Sequence, residues 1–379
     1  MLNVFLLISY IILAAYLFFG LFAIYGIIKK CRDASNKTTE TNPLNVAHQG
    51  ISILIPCRNE SENIIHLLSD LKVFSANCGC EIIVVDDHSE DETFNKVSKY
   101  PFVKLIKLPE NKAGKKAAIT EGVTHCSNEV ILCLDADVRV PKSFSTQKII
   151  AIFSTHSTCN FLIFPLKINF TKNFFGIFHL LEHLALTSFM LGFARNNKAF
   201  LAHGACMAFR KKAFEEVKGF DGNLNISSGD DIFLLEKMKS HFPLSVSVHP
   251  KLTEPVSTNP VRSFQQLFSQ RIRWASKFNK NKKSINFFLS ITVGLLNFFL
   301  LFAPFFVFIN QLPLTTYFIV AGIKFLIDFL LLFLSSVFFK QTKYLWFYPF
   351  FFWLYPLFAF MLMISVFFIH VKWKGRSVS

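Results

Sequence analysis

Acidic residues are scarce in this chain of 379 residues: 25 Asp and Glu face 40 Lys and Arg, for a formal net charge of +15. A surplus of that sign points to an anionic partner, whether nucleic acid, anionic lipid or an anionic substrate. Nucleic acid loses support at once, because the sequence has no zinc-finger spacing, no basic zipper and no aromatic RNA-binding signature. No Cys-x-x-Cys pair occurs among the eight cysteines. Cys57, Cys126 and Cys133 fall inside expected strands or helices and read as reduced, buried small residues of a cytosolic domain. Gly114-Lys115 lacks the upstream glycine and the following Ser or Thr of a phosphate-binding loop, which disfavours an energised transporter. The amino terminus carries no positive charge ahead of its apolar run and so lacks the layout of a cleavable signal peptide.

Apolar residues, by contrast, are abundant. They make up 52% of the chain, and the mean hydropathy of +0.41 is too high for an ordinary soluble protein, so membrane spans are expected. Residues 1–30 form an uncleaved anchor, and Lys29, Lys30 and Arg32 at its end place the following domain in the cytoplasm of an integral plasma- or inner-membrane protein. A polar linker over 31–49 follows. Over 259–283, Val261, Phe264, Phe268, Ile272, Ala275 and Phe278 recur at three- and four-residue steps, while Arg262, Gln266, Arg271, Arg273 and Lys277 take other faces. That pattern predicts a basic amphipathic helix lying along a membrane surface.

Residues 284–379 read as a carboxyl-terminal membrane region. Lys280, Lys282 and Lys283 lead into a span over 285–309, and a second span over 316–339 carries Asp328 as its only acid. Such a carboxylate is either functional or paired on a neighbouring helix. Tyr344 to His370 is apolar and aromatic but interrupted by Pro349 and Pro356. A full crossing would put Lys372, Lys374 and Arg376 outside, against the positive-inside tendency, so a re-entrant or interfacial course is expected for this third segment.

Between these regions, residues 50–258 alternate short apolar runs with helical stretches, which predicts an α/β domain with a mostly parallel sheet. Strands are expected at Ile51–Ile55, Glu81–Val85, Val103–Lys107 and Val130–Leu134. Asn59 and Glu62 have the spacing of a capping box for the helix after the first strand. Gly114-Lys115-Lys116 opens a helix to about Cys126, residues 173–192 are helical, and Ser228-Gly229-Asp230-Asp231 opens a helix to about Met238. His203 to Arg210 forms a tight turn into a short strand.

Three of the strands end in polar or acidic clusters. The most informative is Val130 to Leu134, five apolar residues that stop at Asp135-Ala136-Asp137. In an open α/β sheet ligands gather at the carboxyl ends of the strands. Two hard carboxylates there suit Mg²⁺ or Mn²⁺ sharing its shell with a substrate diphosphate. The bland reading of a lone Asp-x-Asp is a solvated loop, but it leaves the neighbouring clusters unexplained. Asp at a helix amino end is commonly a cap, and that explains one of Asp230 and Asp231 better than both. Asn36, Asn169 and Asn225 stand in glycosylation-type triplets that a cytoplasmic domain makes chance matches. Glu182 and His183 on the middle helix either face the site or, as the favoured reading, form a solvated helix face.

Taken together, Ile55-Pro56-x-Arg58-Asn59-Glu60, Val85-Asp86-Asp87-x-Ser89, Gly114-Lys115-x-x-Ala118, Asp135-Ala136-Asp137, Gly229-Asp230-Asp231 and Gln270-x-x-Arg273-Trp274 resemble the membrane-bound family 2 glycosyltransferases, in that family's order. The group includes the synthases of cellulose, hyaluronan and poly-N-acetylglucosamine, and ceramide glucosyltransferase. The resemblance covers about residues 51 to 280 and implies a Rossmann-like GT-A domain that binds a nucleotide sugar. It implies that Asp86 and Asp87 meet the base of a UDP-sugar, with Glu60 near the nucleoside and Lys115 near phosphate or uracil. It also implies a metal, Mg²⁺ or Mn²⁺, held by Asp135 and Asp137. Gln270, Arg271, Arg273 and Trp274 would lie at the leaving diphosphate and the sugar, and Asp231, with Asp230 beside it, would be the catalytic base. Gly204 and Arg210 would shape the acceptor side, with His203 packing there. Many members have Thr-Glu-Asp where this chain has Gly229-Asp230-Asp231, which keeps the last acid and shortens the one before it.

The expected activity is inverting, metal-dependent transfer from a UDP-sugar to a lipid-linked or saccharide acceptor at the cytoplasmic membrane face. Single or limited transfer is favoured because few spans are present, and a processive polysaccharide synthase is the alternative. A catalytically silent nucleotide-sugar-binding membrane protein or a transporter would be of another class. A partner subunit is compatible with either enzyme reading, and no nucleic-acid partner is expected.

Overall fold

The computed structural model describes residues 2–36, 50–77, 80–224, 229–248, 254–275, 285–368, 372–373 and 376–377. The linker from 37 to 49, Asn225 and Ser228, the segment carrying Lys277, Phe278, Lys280, Lys282 and Lys283, and His370 and Lys374 lie outside the described residues. Contacts divide the chain into two units. One comprises Ser35–Asn169, Asn197–Asn259 and Lys372–Ser379, and the other Met1–Ala34, Phe170–Asn196 and Pro260–Val371.

The first unit is built on nine strands: β1 (Ile51–Cys57), β2 (Glu81–Asp86), β3 (Val103–Lys107), β4 (Val130–Leu134), β5 (Phe161–Ile163), β6 (Leu166–Ile168), β7 (Cys206–Arg210), β8 (Val246–Val248) and β9 (Val256–Thr258). Seven of them form one sheet in the order β3-β2-β1-β4-β7-β5-β8, and β6 pairs with β9. β1 and β4 are buried along their whole length, as strands covered on both faces by crossover helices must be. The pairs β1–β2, β1–β4 and β2–β3 are parallel, so the carboxyl ends of these strands share one edge. β7 runs antiparallel to both β4 and β5. Its amino end, Cys206, therefore sits opposite Leu134, the last residue of β4, while Arg210 sits opposite Val130 at the far end.

β1 runs two residues past its expected end, through Pro56. Pro56 is tolerated because β4 pairs only with Ile51–Leu54, so no ladder bond on that side needs the missing N–H. The capping box does not form. Asn59 adopts a left-handed φ of 50°, its side-chain oxygen accepts from the Glu90 N–H at 2.8 Å, and the helix begins at Ile64 instead.

In the second unit, five helices among the described residues are long and apolar enough to cross a membrane: Leu6–Lys29, Phe174–Arg195, Ile285–Phe308, Leu314–Phe339 and Thr342–Ser365. The Phe174–Arg195 helix interrupts the single domain expected over 50–258. It is apolar on all sides and clusters with the membrane-type helices, although the chain returns through it to β7. Its Gly192 touches the Leu2–Asn36 helix: a Cβ there would come within 2.2 Å of the Ala23 carbonyl oxygen, the close backbone approach that small residues permit between apolar helices.

The two prolines do not break the third carboxyl-terminal segment. A 3₁₀ turn over Thr342–Phe347 leads into one helix, Tyr348–Phe368, with Pro356 inside it. Pro349 falls in the first helical turn, where its missing N–H leaves no bond unmade. At 21 residues, a rise of ~1.5 Å each gives about 30 Å, enough to cross a hydrocarbon core. Asp328 is paired: Lys324 lies 2.6 Å away on the same helix, and the Tyr16 hydroxyl of the Leu2–Asn36 helix donates to it. This partnership supports the structural reading of the intramembrane acid.

Candidate active site

Burial alternates from the last residue of β4 onward. Ala136, Val138 and Val140 are buried, whereas Asp135 is half-exposed and Asp137 and Arg139 are exposed. This two-residue period puts both carboxylates on the face away from the core. The Asp135 N–H donates to the Ala205 carbonyl at 3.1 Å, so the register of β7 against β4 brings the loop before β7 alongside.

Gly204 in that loop is the hub. Its N–H donates to Asp231 Oδ2 at 2.9 Å, and its carbonyl accepts from Lys115 Nζ at 3.2 Å. A Cβ at this position would lie 2.9 Å from Asp230 Oδ2, 3.3 Å from Lys115 Nζ and 3.4 Å from Asp231 Oδ2, so the approach requires glycine. Lys115 Nζ also pairs with Asp135 Oδ1 at 2.6 Å and with Asp230 Oδ2 at 2.8 Å. Four separate chain segments thus meet within bonding distance of one ammonium and one glycine.

Local structure explains each placement. Gly114 takes a φ of 94°, open to glycine at no steric cost, and the Lys115–His125 helix starts there. Asp87 Oδ2 accepts the Gly114 N–H at 3.0 Å and ties that start to the end of β2. Asp86 Oδ2 accepts the Ser89 N–H at 3.1 Å and holds the turn after β2. Asp230 and Asp231 occupy the first turn of the Asp230–His241 helix behind Gly229, whose φ is 82°. Negative charge is favoured at that helix end.

The cluster sets its own electrostatics. Desolvation within the cluster, reinforced by the Asp137 and Asp230 carboxylates, outweighs the pull of Lys115 and holds the Asp135 pKa above the usual carboxylate value. A divalent cation would reverse that shift. Burial alone would lower the Lys115 pKa, but Asp135 and then Asp230 overcome it and hold it well above the usual lysine value. Desolvation pushes His203 down to about 4, so its imidazole is neutral at physiological pH. Cys57, Cys80, Cys126, Cys133, Cys159 and Cys206 are buried free thiols, and burial raises Cys126 to about 12.

The residues present fit Mg²⁺ or Mn²⁺. Among the described residues no three His, Cys, Asp or Glu side chains are gathered to hold a metal by themselves. Two hard carboxylates that leave most of the shell to waters and substrate phosphate are the donor set those ions accept.

Other expected residues have partners outside this cluster. Glu60 Oε2 accepts from the Asn63 side chain at 2.7 Å. Arg210 does not shape an acceptor side: at the far end of β7 its guanidinium donates to the carbonyls of Cys159, at 2.9 Å, and Phe153. In the second unit, the described part of the amphipathic helix is Phe264–Ala275. Arg271 lies on its packed face with Leu267, not on a polar one, and both are buried. Its nitrogens reach Glu182 Oε2 at 2.7 and 2.6 Å. Nη1 donates to Gln270 Oε1 at 2.7 Å, and the guanidinium covers the Trp274 ring at 4.2 Å. Glu182 and His183 are therefore not a solvated face; their helix is apolar all round, His183 is buried and the Glu182 side chain is only 9% exposed.

Sequence reasoning gave Arg58 no role. It is buried and donates to the carbonyls of Asp87 and His88 at 2.9 and 3.0 Å and to Glu90 at 2.8 Å, which locks the ends of β1 and β2 together. A cation directly after a fully buried strand was the available signal.

Residues 52–218 match the family model described as Glycosyl transferase family 2. The matched residues form a glycosyl transferase family 2 domain, and the α/β unit is GT-A-like. Dolichol-phosphate mannosyltransferase of Pyrococcus furiosus is 37% identical over 106 residues, 27% of this chain and 30% of that protein. A 4,4'-diaponeurosporenoate glycosyltransferase of Staphylococcus aureus is 30% identical over 156 residues, 40% of this chain and 41% of that protein. The chain thus spans less than half the length of these curated relatives. A solved mannosyltransferase from Pyrobaculum calidifontis, in complex with GDP-Man and Mn²⁺, shares the fold with a TM-score of 0.56, covering 97% of this chain and 99% of that one at 16% identity.

Proposed function

We propose that the protein is a membrane-bound hexosyltransferase that moves a sugar from a nucleotide diphosphate donor, in the first instance a UDP-sugar, to a lipid-linked or saccharide acceptor with inversion at the anomeric carbon. The observation that carries this reading is the meeting of Asp135, Asp230 and Asp231 around Lys115 and Gly204, at the edge where β1, β2 and β4 end. Asp135 and Asp137 would hold Mg²⁺ or Mn²⁺, which neutralises charge developing on the departing diphosphate.

The other steps belong to side chains of the chain itself. Asp231, oriented by the Gly204 N–H, takes the proton from the acceptor hydroxyl as its oxygen attacks the anomeric carbon opposite the diphosphate. Asp230 fixes Lys115 beside it. Asp86, Asp87 and Glu60 shape the nucleoside end, Asp86 and Asp87 by holding the turns after β2. Arg271 anchors the Phe264–Ala275 helix through Glu182, and the roles of Gln270, Arg273 and Trp274 toward the leaving diphosphate and the sugar rest on the family resemblance alone.

The apolar helices support an integral membrane protein, and Lys29 after the first of them favours a cytoplasmic catalytic unit. The two relatives named above are, by their names, a dolichol-phosphate mannosyltransferase and a diaponeurosporenoate glycosyltransferase rather than polymer synthases, which favours single or limited transfer. A processive synthase is the second enzyme reading. Release of UDP or GDP from the corresponding hexose donors, measured with Mn²⁺ and with chelator, tests the proposal. Mass spectrometry of lipid and polymer products separates the two acceptor readings. Tight nucleotide binding without release under any donor would refute an enzyme.

A further inference from the structure

We propose that the Lys115 ammonium is a built-in counter-ion for the metal carboxylate Asp135, so that a divalent cation binds tightly only in company with a nucleotide diphosphate. The inference rests on the preceding reading of Asp135 and Asp137 as a cation site for a nucleotide sugar.

Three acceptors surround Lys115 Nζ: Asp135 Oδ1 at 2.6 Å, Asp230 Oδ2 at 2.8 Å and the Gly204 carbonyl at 3.2 Å. An ammonium has three protons to donate, so these contacts use its full capacity. The lysine is held at its root as well, because Asp87 fixes the Gly114 N–H that precedes it. A cation approaching Asp135 meets a positive charge already seated on one of the two carboxylate oxygens. Repulsion at such a separation exceeds thermal energy even with strong screening.

The protein offers the cation little in exchange. Among the described residues no third His, Cys, Asp or Glu completes a set with Asp135 and Asp137. Asp231 is turned to backbone, its two oxygens accepting from the N–H groups of Gly204 and Ile232 at 2.9 and 2.8 Å. A diphosphate changes both terms at once. Its oxygens fill the cation's shell, and its negative charge gives Lys115 a new partner within reach of a flexible four-carbon stem. Asp135 is then released to the metal, and Asp230 to the space beside Asp231.

The test measures metal binding without turnover. Purified full-length protein is titrated with Mn²⁺, and free aquo-ion is followed by electron paramagnetic resonance, alone and with UDP or GDP. Wild type should bind Mn²⁺ weakly alone and at least about tenfold more tightly with one of the nucleotides. Lys115→Gln should bind Mn²⁺ alone about tenfold more tightly than wild type and lose most of the nucleotide effect. Lys115→Met repeats that test with an apolar side chain, and Lys115→Arg, which keeps the charge, should behave as wild type does. If both neutral variants, folded by thermal unfolding, bind Mn²⁺ alone no better than wild type, Lys115 only braces the cluster and the proposal fails. If wild type binds no Mn²⁺ even with either nucleotide, the donor reading falls and the proposal with it.

Discussion

Glu182 and Arg271 lie 89 positions apart and meet as a buried ion pair, with two guanidinium nitrogens converging on one carboxylate oxygen at 2.7 and 2.6 Å. The side chains are 9% and 5% exposed, so neither charge has water to fall back on. Removing one member of such a pair costs about 3–5 kcal/mol, because the other charge is left buried alone. Glu182→Ala should therefore lower the unfolding midpoint sharply in detergent. Replacing both members, as Glu182→Leu with Arg271→Met, should recover most of the loss. Additive losses in the double variant would show that each residue acts through other partners.

Asp231 is the residue whose loss should separate chemistry from binding. Asp231→Asn keeps the shape and an acceptor oxygen for the Gly204 N–H but cannot take a proton at neutral pH. Turnover should fall about a hundred- to ten-thousand-fold, while UDP or GDP affinity stays close to wild type by calorimetry. Normal turnover in this variant would move the base elsewhere.

His203 gives a pH dependence whose sign can be worked out. An unfolded imidazole titrates near 6.5, and desolvation holds the folded one at about 4. The folded state binds that proton more weakly, so the contribution is fully present above 6.5 and is lost as pH falls through the window down to 4. His203→Asn has no such term. Its stability difference from wild type should therefore shift in the variant's favour between pH 7 and pH 4.5, roughly the span of those two pKa values, as followed by denaturant midpoints. A difference that does not change with pH would mean His203 is solvated.

How far these features could be read from the chain depended on whether a residue's partner was local. β1, β2 and β4 were legible because each is a short apolar run ending at a polar cluster, and parallel strand order then places Asp86 and Asp135 at one edge. β5, β6, β8 and β9 have three residues each, too few for any periodicity to register. Asn59 had capping spacing, but its left-handed backbone spends the side chain on Glu90, a partner 31 positions away. Glu182 was misplaced because a helix apolar all round gives no polar face by which to orient it. The bridge from Lys115 to Asp135 and Asp230 depends on loop conformation that no spacing rule encodes.

Gly204 is the sharpest test of whether that bridge matters, because the residue contributes no side chain of its own. Its value is the room it leaves. An added methyl would stand 2.9 Å from Asp230 Oδ2, closer than real Cβ contacts come, and 3.3 Å from Lys115 Nζ. Both neighbours are the ends of side chains, so the fold can yield by moving them and Gly204→Ala should still fold, with a small change in unfolding midpoint. What cannot survive is the arrangement: Lys115 shifts off the Gly204 carbonyl, and the Gly204 N–H loses its aim at Asp231. Misplacement of reacting groups by about 1 Å can cost about a hundredfold in rate. Gly204→Ala should therefore lose kcat far more than it loses stability, and Gly204→Val should lose both. A Gly204→Ala enzyme with wild-type kcat would mean that the four segments need not be held this closely for transfer to occur.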